Sequence, residues 1–522
     1  MQVPLSPVRC LYRGVDLYGK KTGVVSGDQR FTYSEFGARC ERLAAGLIAK
    51  GVQPGDRVTY ISFNNHQLLE GYFGVPLARA IVMPLNVRLT CYEMTCILNH
   101  AEPRVVIFEP DFAALVEQLR AACPRVEHWI ETGEPYEHLL SHGRMDRPDP
   151  FSFDENAIGE LFYTSGSTGT PKGVMLSHRT LYLHALGCAS SFPQSEDAVE
   201  LHTIPLFHAN GWGRAHSSTM NGLRQVMVRR FDPSLVLRLI QEEKATGMAL
   251  VPTMANALLN CPEAANYDYS SLHRIMLGGA ASSPELVERM ERMFHCRVEA
   301  GYGLTESGPV ATGARAKSTV IYADEDDRLR HMAMAGWPLV GCEVRVVDPH
   351  MNDVPRDMQT IGEVVMRGDN IMDGYYKEPQ ATAAVMSGGW LHSGDMGVWD
   401  DETYIHIVDR KKDIIISGGE NISSIEVERA IFAHPSVLEC AVVSSPDPQW
   451  GEVPAAFIVL KPGHRLGEPE LCEFLQCRLA KFKMPRRYNF LEDPLPKTGT
   501  GKILKRELRE AFWRDKERRV QG

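Results

Sequence analysis

Short apolar runs alternating with longer stretches of helical spacing restrict what this chain can fold into more than any other feature of it. Phe31, Thr32 and Tyr33 read as the end of a strand. The segment from Ser34 carries Phe36, Leu43, Ala44, Leu47 and Ile48 near helical spacing and stops at Gly51, and residues 56–61 read as the next strand. Apolar positions at three- and four-residue steps line one face of a helix, whereas a short apolar run bounded by turn residues marks a buried strand. The unit recurs around 104–108, 199–204 and 248–252. Such alternation predicts an α/β fold, with a large N-terminal domain of stacked, largely parallel sheets.

After about Ala335 the texture changes. Short β-rich runs at 343–347, 362–367 and 404–408 are separated by Gly, Pro and Asp turns, which reads as a β-rich subdomain closing the large domain. The charged stretch Asp409-Arg410-Lys411-Lys412-Asp413 follows, then a compact tail. The tail reads as a strand at 414–416, a helix at 424–432, strands at 440–444 and 455–460, and a helix from Pro469. These runs predict a large domain over 1–409 and a small α+β domain over 410–522, with the boundary in the charged stretch.

The chain has 522 residues and a net charge of -10, which disfavours an electrostatic grip on nucleic acid. Its twelve cysteines are scattered without a Cys-x-x-Cys pair or a clustered histidine set, so reduced, buried thiols are expected rather than zinc or disulfides. The N-terminal stretch is broken by Pro4 and Pro7, and no apolar run is long enough to span a bilayer. A cytoplasmic protein with no transmembrane segment is the expectation.

The strongest local signal is Tyr163-Thr164-Ser165-Gly166-Ser167-Thr168-Gly169-Thr170-Pro171-Lys172-Gly173. Its glycines let backbone N–H groups turn toward one point, while Thr164, Ser165, Ser167, Thr168 and Lys172 add hydroxyl and ammonium donors. That composition suits a polyphosphate. It is not a Walker A loop, because Pro171 precedes Lys172 and the spacing fails. A Ser/Gly linker is the bland alternative, but apolar runs on both sides read as flanking strands.

With this loop in view, the chain resembles the adenylate-forming superfamily of acyl-CoA synthetases, adenylation domains and beetle luciferases. The resemblance runs from about Phe31 to Leu508 and rests on several separate motifs in family order. In Gly301-Tyr302-Gly303-Leu304-Thr305-Glu306 it implies that Tyr302 stacks on adenine, Thr305 contacts phosphate and Glu306 holds magnesium, with Gly303 at the acyl pocket. A carboxylate attacking a phosphate meets like charge, which a divalent cation offsets. Gly279 and Ala280, in Gly278-Gly279-Ala280-Ala281-Ser282, resemble the turn lining adenine and the acyl group. Asp395, in Ser393-Gly394-Asp395, takes the ribose position, and Arg410 takes a ribose or phosphate position. Lys412 resembles the hinge residue of a mobile C-terminal domain. Gly418, Gly419 and Glu420 resemble the segment facing the pantetheine of coenzyme A. Lys502, closing Pro496-Lys497-Thr498-Gly499-Thr500-Gly501-Lys502, resembles the catalytic lysine, whose ammonium reaches the carboxylate and α-phosphate as charge develops.

In Pro205-Leu206-Phe207-His208-Ala209-Asn210-Gly211-Trp212, His208 resembles the gating residue and Trp212 the tryptophan that closes an acyl tunnel. A packed core tryptophan is the competing reading of Trp212. The resemblance is greatest to fatty-acyl-CoA ligases. It implies that a carboxylic acid, expected to be a medium- or long-chain fatty acid, reacts with ATP to give acyl-AMP and pyrophosphate, then with coenzyme A to give the thioester. A small or aryl acid, or a carrier-protein thiol, is the alternative within enzymes, and a silent acyl-adenylate binder is the alternative outside them. ATP, Mg2+ and coenzyme A are the expected cofactors and co-substrates. No nucleic acid partner is expected, and a homodimer stays open.

Overall fold

A computed structural model describes residues 2–164, 171–417, 420–476, 478–497 and 503–513. The described residues fall into two compact units. The first holds 1–345, 365–393 and 401–405, and the second holds 346–364, 394–400 and everything from 406 onward. The second unit therefore takes in parts of the β-rich stretch as well as the tail expected at 410–522, and the division falls inside strands such as Trp390–Trp399.

The first unit contains a nine-stranded and a seven-stranded sheet. In the larger sheet, Arg297–Tyr302, Arg274–Leu277, Gly247–Leu250, Val199–His202, Arg224–Met227 and Thr22–Ser26 follow one another as parallel neighbours. Antiparallel additions occur only toward its ends, at Gln29–Thr32 and at Thr312–Gly313 with Trp337–Pro338. The smaller sheet has the parallel strands Arg57–Ile61, Ile81–Pro84, Val105–Phe108 and His128–Glu131, with the hairpin Ile158–Thr164 and Lys172–Ser177 beside them. The expected parallel α/β character is present, and so is the strand pair expected on either side of the hydroxyl-rich loop, which pairs antiparallel.

Helices fill the space between the sheets. Every residue of His66–Leu77 except the half-buried Gln67 is buried, and this helix contacts Ile81–Pro84 of one sheet, Thr22–Ser26 of the other, and the helix Tyr33–Ala49. A helix enclosed on all sides must be apolar all round or have its polar groups satisfied. Its one carboxylate, Glu70, meets Arg39 Nε at 2.5 Å and accepts from the Tyr136 hydroxyl at 2.7 Å. Thr32 caps Tyr33–Ala49 in a reciprocal box with Glu35, which explains the sharp start one residue before the expected Ser34.

The second unit is an open sheet covered on both faces. Glu420–Ile422, Ile415–Ser417, Gly451–Leu460 and Val437–Asp447 are antiparallel neighbours, and Arg487–Leu491 adds parallel to Gly451–Leu460. Val442 and Ile458 belong to the core that includes Val427 and Ile431 of the helix Ser424–Phe432 and Leu471 and Leu475 of Glu468–Gln476. Ala441, Val443 and Phe457, on the alternate positions, pack with Leu508 of Lys505–Trp513. The two-residue period of a strand makes this division.

Among the described residues, eleven cysteines are free thiols, no helix is long and apolar enough to cross a membrane, and no group of three metal-ligating side chains converges. The packing of Tyr33–Ala49 is tight enough to test. A Cβ at Gly46 would overlap the Leu139 carbonyl. Helix propensity alone favours alanine by about 1 kcal/mol, whereas overpacking costs about 1–3 kcal/mol. Gly46→Ala is expected to lower stability in chemical denaturation, and an increase would contradict the packing.

Candidate active site

Three of the sequence motifs, and the turn at 251–252 between them, leave the larger sheet on the same side. Residues 203–213, 251–252, 278–282 and 303–308 each follow the carboxyl end of a parallel strand, and those strands are neighbours in the order 297–302, 274–277, 247–250, 199–202. Leu277 lies opposite Ala300 in the ladder, so the turn with Gly279 and Ala280 starts beside the turn with Tyr302 and Gly303. The carboxyl edge of an α/β sheet is where crevices for ligands form. Gly303 cannot be replaced here, because a Cβ would overlap the Pro309 carbonyl.

Glu306 sits in the short turn Thr305–Ser307. The turn is fixed from both sides: Leu304 N donates to Ser307 Oγ at 2.9 Å, Asn370 Nδ2 donates to Ser307 O at 2.8 Å, and Met372 N donates to Glu306 O at 2.9 Å. Tyr375 then joins this turn to the phosphate-loop hairpin. Its strand Gly374–Tyr375 pairs with Lys172–Ser177, its hydroxyl donates to Glu306 Oε1 at 2.8 Å, and Lys172 Nζ stands 4.9 Å from its ring centroid. Burial and the adjacent Glu306 carboxylate push the Tyr375 hydroxyl far above its ordinary range, so it stays a donor. An ammonium and a carboxylate from motifs more than a hundred residues apart in sequence thus meet on one aromatic ring. The Tyr163 ring is edge-on to His100, whose Nδ1 lies 2.7 Å from the Tyr163 hydroxyl, so the hairpin is also held from outside.

The acyl segment has an unusual backbone. Ala209, Asn210, Gly211, Trp212 and Gly213 all have positive φ, between 45° and 80°. That region is costly for residues with a Cβ and persists only where surroundings enforce it. Asn210 supplies the enforcement. Its Oδ1 accepts from Gly213 N at 2.5 Å, closing the turn, and its Nδ2 donates to the buried Glu160 Oε2 at 2.7 Å. The other Glu160 oxygen faces His216 Nε2 at 3.3 Å, and the rings of Tyr72 and Phe73 stand edge-on to His216. Burial pushes the Glu160 carboxyl up to about 8 and the His216 imidazole down to about 3. The pair is therefore a neutral acid facing a neutral imidazole near neutral pH. His208 itself is exposed, whereas Trp212 is buried against the glycine turn, with an added Cβ at Gly278 falling 3.0 Å from its ring.

In the second unit, Asp395 on Trp390–Trp399 pairs with Arg410 Nε at 2.6 Å, so the two residues assigned to ribose and phosphate hold each other. Asp409 accepts from Arg410 N at 2.7 Å and from Ser424 N at 2.6 Å, fixing the start of the charged stretch. The Lys412 carbonyl accepts from Arg509 Nη1 at 2.8 Å, and the same guanidinium pairs with Asp413. Thr164 ends its strand, and Glu420 begins Glu420–Ile422. Ser165, Gly166, Ser167, Thr168, Gly169, Gly418, Gly419 and Lys502 lie outside the described residues. Sequence reasoning missed Tyr375, Glu160, Asn210's role, His216 and Arg509, since each acts through a partner distant in sequence.

Residues 11–376 match the AMP-binding enzyme family, and residues 426–502 match the C-terminal domain of AMP-binding enzymes. A long-chain-fatty-acid–CoA ligase of Thermus thermophilus is 39% identical, over 96% of this chain and 94% of that protein. A 4-hydroxybutyrate–CoA ligase of Metallosphaera sedula is 37% identical, over 97% and 94%. The crystal structure of an anthranilate CoA ligase in complex with anthranoyl-AMP superposes with a TM-score of 0.88 at 26% identity, covering 98% of each chain.

The Glu160 contact has a test that depends on its protonation state. The folded protein keeps a proton on Glu160 that the unfolded chain releases above its ordinary value of 4.5, so this contribution to stability is full below that value and is lost as pH rises through about 8. Glu160→Gln mimics the neutral acid, donating to His216 and accepting from Asn210. It is expected to keep the fold and to flatten the decline of the thermal midpoint between 4.5 and about 8 on the pH scale. Glu160→Ala leaves the Asn210 amide N–H without its buried acceptor and should cost roughly 1–3 kcal/mol. If Glu160→Gln destabilises as much as Glu160→Ala at neutral pH, the carboxylate is ionised and the assignment is wrong.

Proposed function

The chain belongs to the AMP-binding enzyme family and is an AMP-forming acid–thiol ligase, and from that premise we propose that its acid is a short aliphatic or aryl carboxylic acid. The observation that carries this reading is the closed position of Trp212. Its ring rests on Gly278 and Gly279, and the cavity it borders on its far side is only about 30 Å³. That space holds a water or two and no alkyl chain. The anthranilate ligase resembles this chain along its whole length, which supports a pocket of aryl size. A medium- or long-chain fatty acid is the second reading. It is favoured by the Thermus relative, and it requires the Trp212 ring to leave the glycine turn.

In the proposed reaction the acid's carboxylate attacks the α-phosphate of ATP and pyrophosphate leaves. The thiol of coenzyme A then attacks the acyl carbonyl and AMP leaves. Lys172 faces the polyphosphate and Tyr302 the adenine, with Gly279 and Ala280 allowing close approach. Tyr375 holds one Glu306 oxygen at 2.8 Å and thereby fixes the direction of the carboxylate. A single acid fits Mg2+, which is commonly bound by one or two carboxylates together with substrate phosphates. Glu306 would hold the ion, and the ion would offset the repulsion between the attacking carboxylate and the triphosphate. Asp395 accepts from the ribose once Arg410 shares it with the nucleotide. Lys502 is assigned to the charge developing on the transferred group, Gly418, Gly419 and Glu420 to coenzyme A, and Lys412 to the pivot between the two half-reactions.

Pyrophosphate release across propionate, hexanoate, benzoate and palmitate, with and without coenzyme A, tests the reading. The shorter and aryl acids are expected to give the larger kcat/KM, with AMP and thioester formed only when coenzyme A is present. Highest kcat/KM for palmitate would transfer the assignment to the second reading, and turnover indifferent to coenzyme A would point to another thiol acceptor.

A further inference from the structure

The small cavity bordered by Trp212 is about half polar, where a pocket for an alkyl tail would be largely apolar. Its lining includes Trp212, Met276 and Val310 together with Gln194, Arg214 and Arg274. Arg274 and Met276 alternate on the strand Arg274–Leu277, so they share a face, and the same strand runs on into the glycine turn under the Trp212 ring. At about 3.3 Å per residue the Arg274 backbone lies some ~13 Å from Gly278, and its side chain extends back into the space that Trp212 closes.

The two arginines in this wall differ. Arg214 is paired with the fully buried Glu200, which also accepts from Gln194 Nε2 at 3.4 Å. Arg274 makes no ion pair or hydrogen bond through its side chain among the described residues; its guanidinium carbon rests 5.2 Å from the centroid of the Phe192 ring. Arg315, on the same ring, does find acceptors, donating to Ser191 O at 2.8 Å and to Pro338 O at 3.1 Å. Of the carboxylates that influence Arg274, Glu200 is already engaged by Arg214, and Glu299 is shifted toward its neutral form by burial. Arg274 is half-buried, and a guanidinium there without a protein partner gains charge-assisted hydrogen bonds from an anion that reaches it. Placed at the end of an acyl pocket, it favours an anionic acceptor over a methyl group.

We propose that Arg274 is a specificity-determining residue that binds a second carboxylate, so that the preferred substrate is a short dicarboxylic acid activated at one end and held by Arg274, with Gln194 beside it, at the other. The inference rests on the acyl-CoA ligase reading above and narrows its short-acid class. The cavity has the size of one polar group, so the second carboxylate reaches it past the edge of the Trp212 ring while the methylenes stay on the near side. A matched monoacid would leave Arg274 without a partner and bury nothing in exchange.

The test compares glutarate and adipate with valerate and hexanoate in the wild type, Arg274→Met and Arg274→Lys, by pyrophosphate release and by thermal stabilisation on adding the acid. A hydrogen bond to a charged group contributes about 1.5–3 kcal/mol, or roughly 10–100-fold in a ratio. The wild type is expected to favour each diacid over its matched monoacid in kcat/KM. Arg274→Met should lower that ratio by roughly 10–100-fold, mostly through KM, and Arg274→Lys should restore part of it. A wild-type ratio that favours the monoacids, or a ratio unchanged in Arg274→Met, overturns the proposal. The two readings separate cleanly. Monoacid turnover without diacid preference sinks Arg274 alone, whereas glutarate stabilising the wild type but not Arg274→Met, with no acid turned over, sinks the ligase substrate reading and keeps the Arg274 site. Absence of both turnover and stabilisation overturns both.

Discussion

The hydrogen bond from Asn210 to the buried Glu160 carries the geometry of the acyl side of the site. Five successive residues take positive φ between Ala209 and Gly213, a conformation the backbone does not hold unaided. Asn210 closes the turn on itself and anchors it to the strand Ile158–Thr164 at 2.7 Å. That strand also leads directly into the phosphate loop. One carboxyl group therefore ties the segment proposed to shape the acid's pocket to the strand that precedes the loop proposed for the polyphosphate, and the turn that carries Trp212 depends on it. Removing water from Glu160 keeps it neutral, which lets it sit against His216 without a buried charge.

A second convergence lies on the side proposed for the nucleotide. Tyr375 receives Lys172 on its ring and offers its hydroxyl to Glu306. The two sheets of the first unit present these groups from different directions, and their carboxyl-edge turns bring the motif residues to one side. The site is built from backbone turns at strand ends, stiffened by side chains such as Asn370 and Asn210 that serve the backbone rather than the substrate.

Much of this was legible in the sequence. The helix at 424–432 agrees with the structure residue for residue, and the strands near 57–61 and 105–108 lie where short apolar runs place them. Glycine-rich motifs were readable because their chemistry is local: hydroxyls, an ammonium and turn residues stand next to one another. Tyr375, Glu160 and Arg274 were not readable. Each is an ordinary residue in its own stretch, and only the fold brings it to a partner. The left-handed run was hidden as well, since Ala-Asn-Gly-Trp-Gly can form many turns until Glu160 selects one. The second unit also takes in residues of strands such as Trp390–Trp399, which run across the division without any break in composition that a sequence could show.

The account as a whole stands on a carboxylate oxygen becoming bonded to the α-phosphate of ATP. An acid labelled with heavy oxygen in both carboxylate positions, turned over with ATP and coenzyme A, shows this directly by mass spectrometry of the products. The account predicts one labelled oxygen in AMP, one in the thioester, and none in pyrophosphate. Label in pyrophosphate or inorganic phosphate, or unlabelled AMP alongside a formed thioester, would contradict activation through an acyl-adenylate.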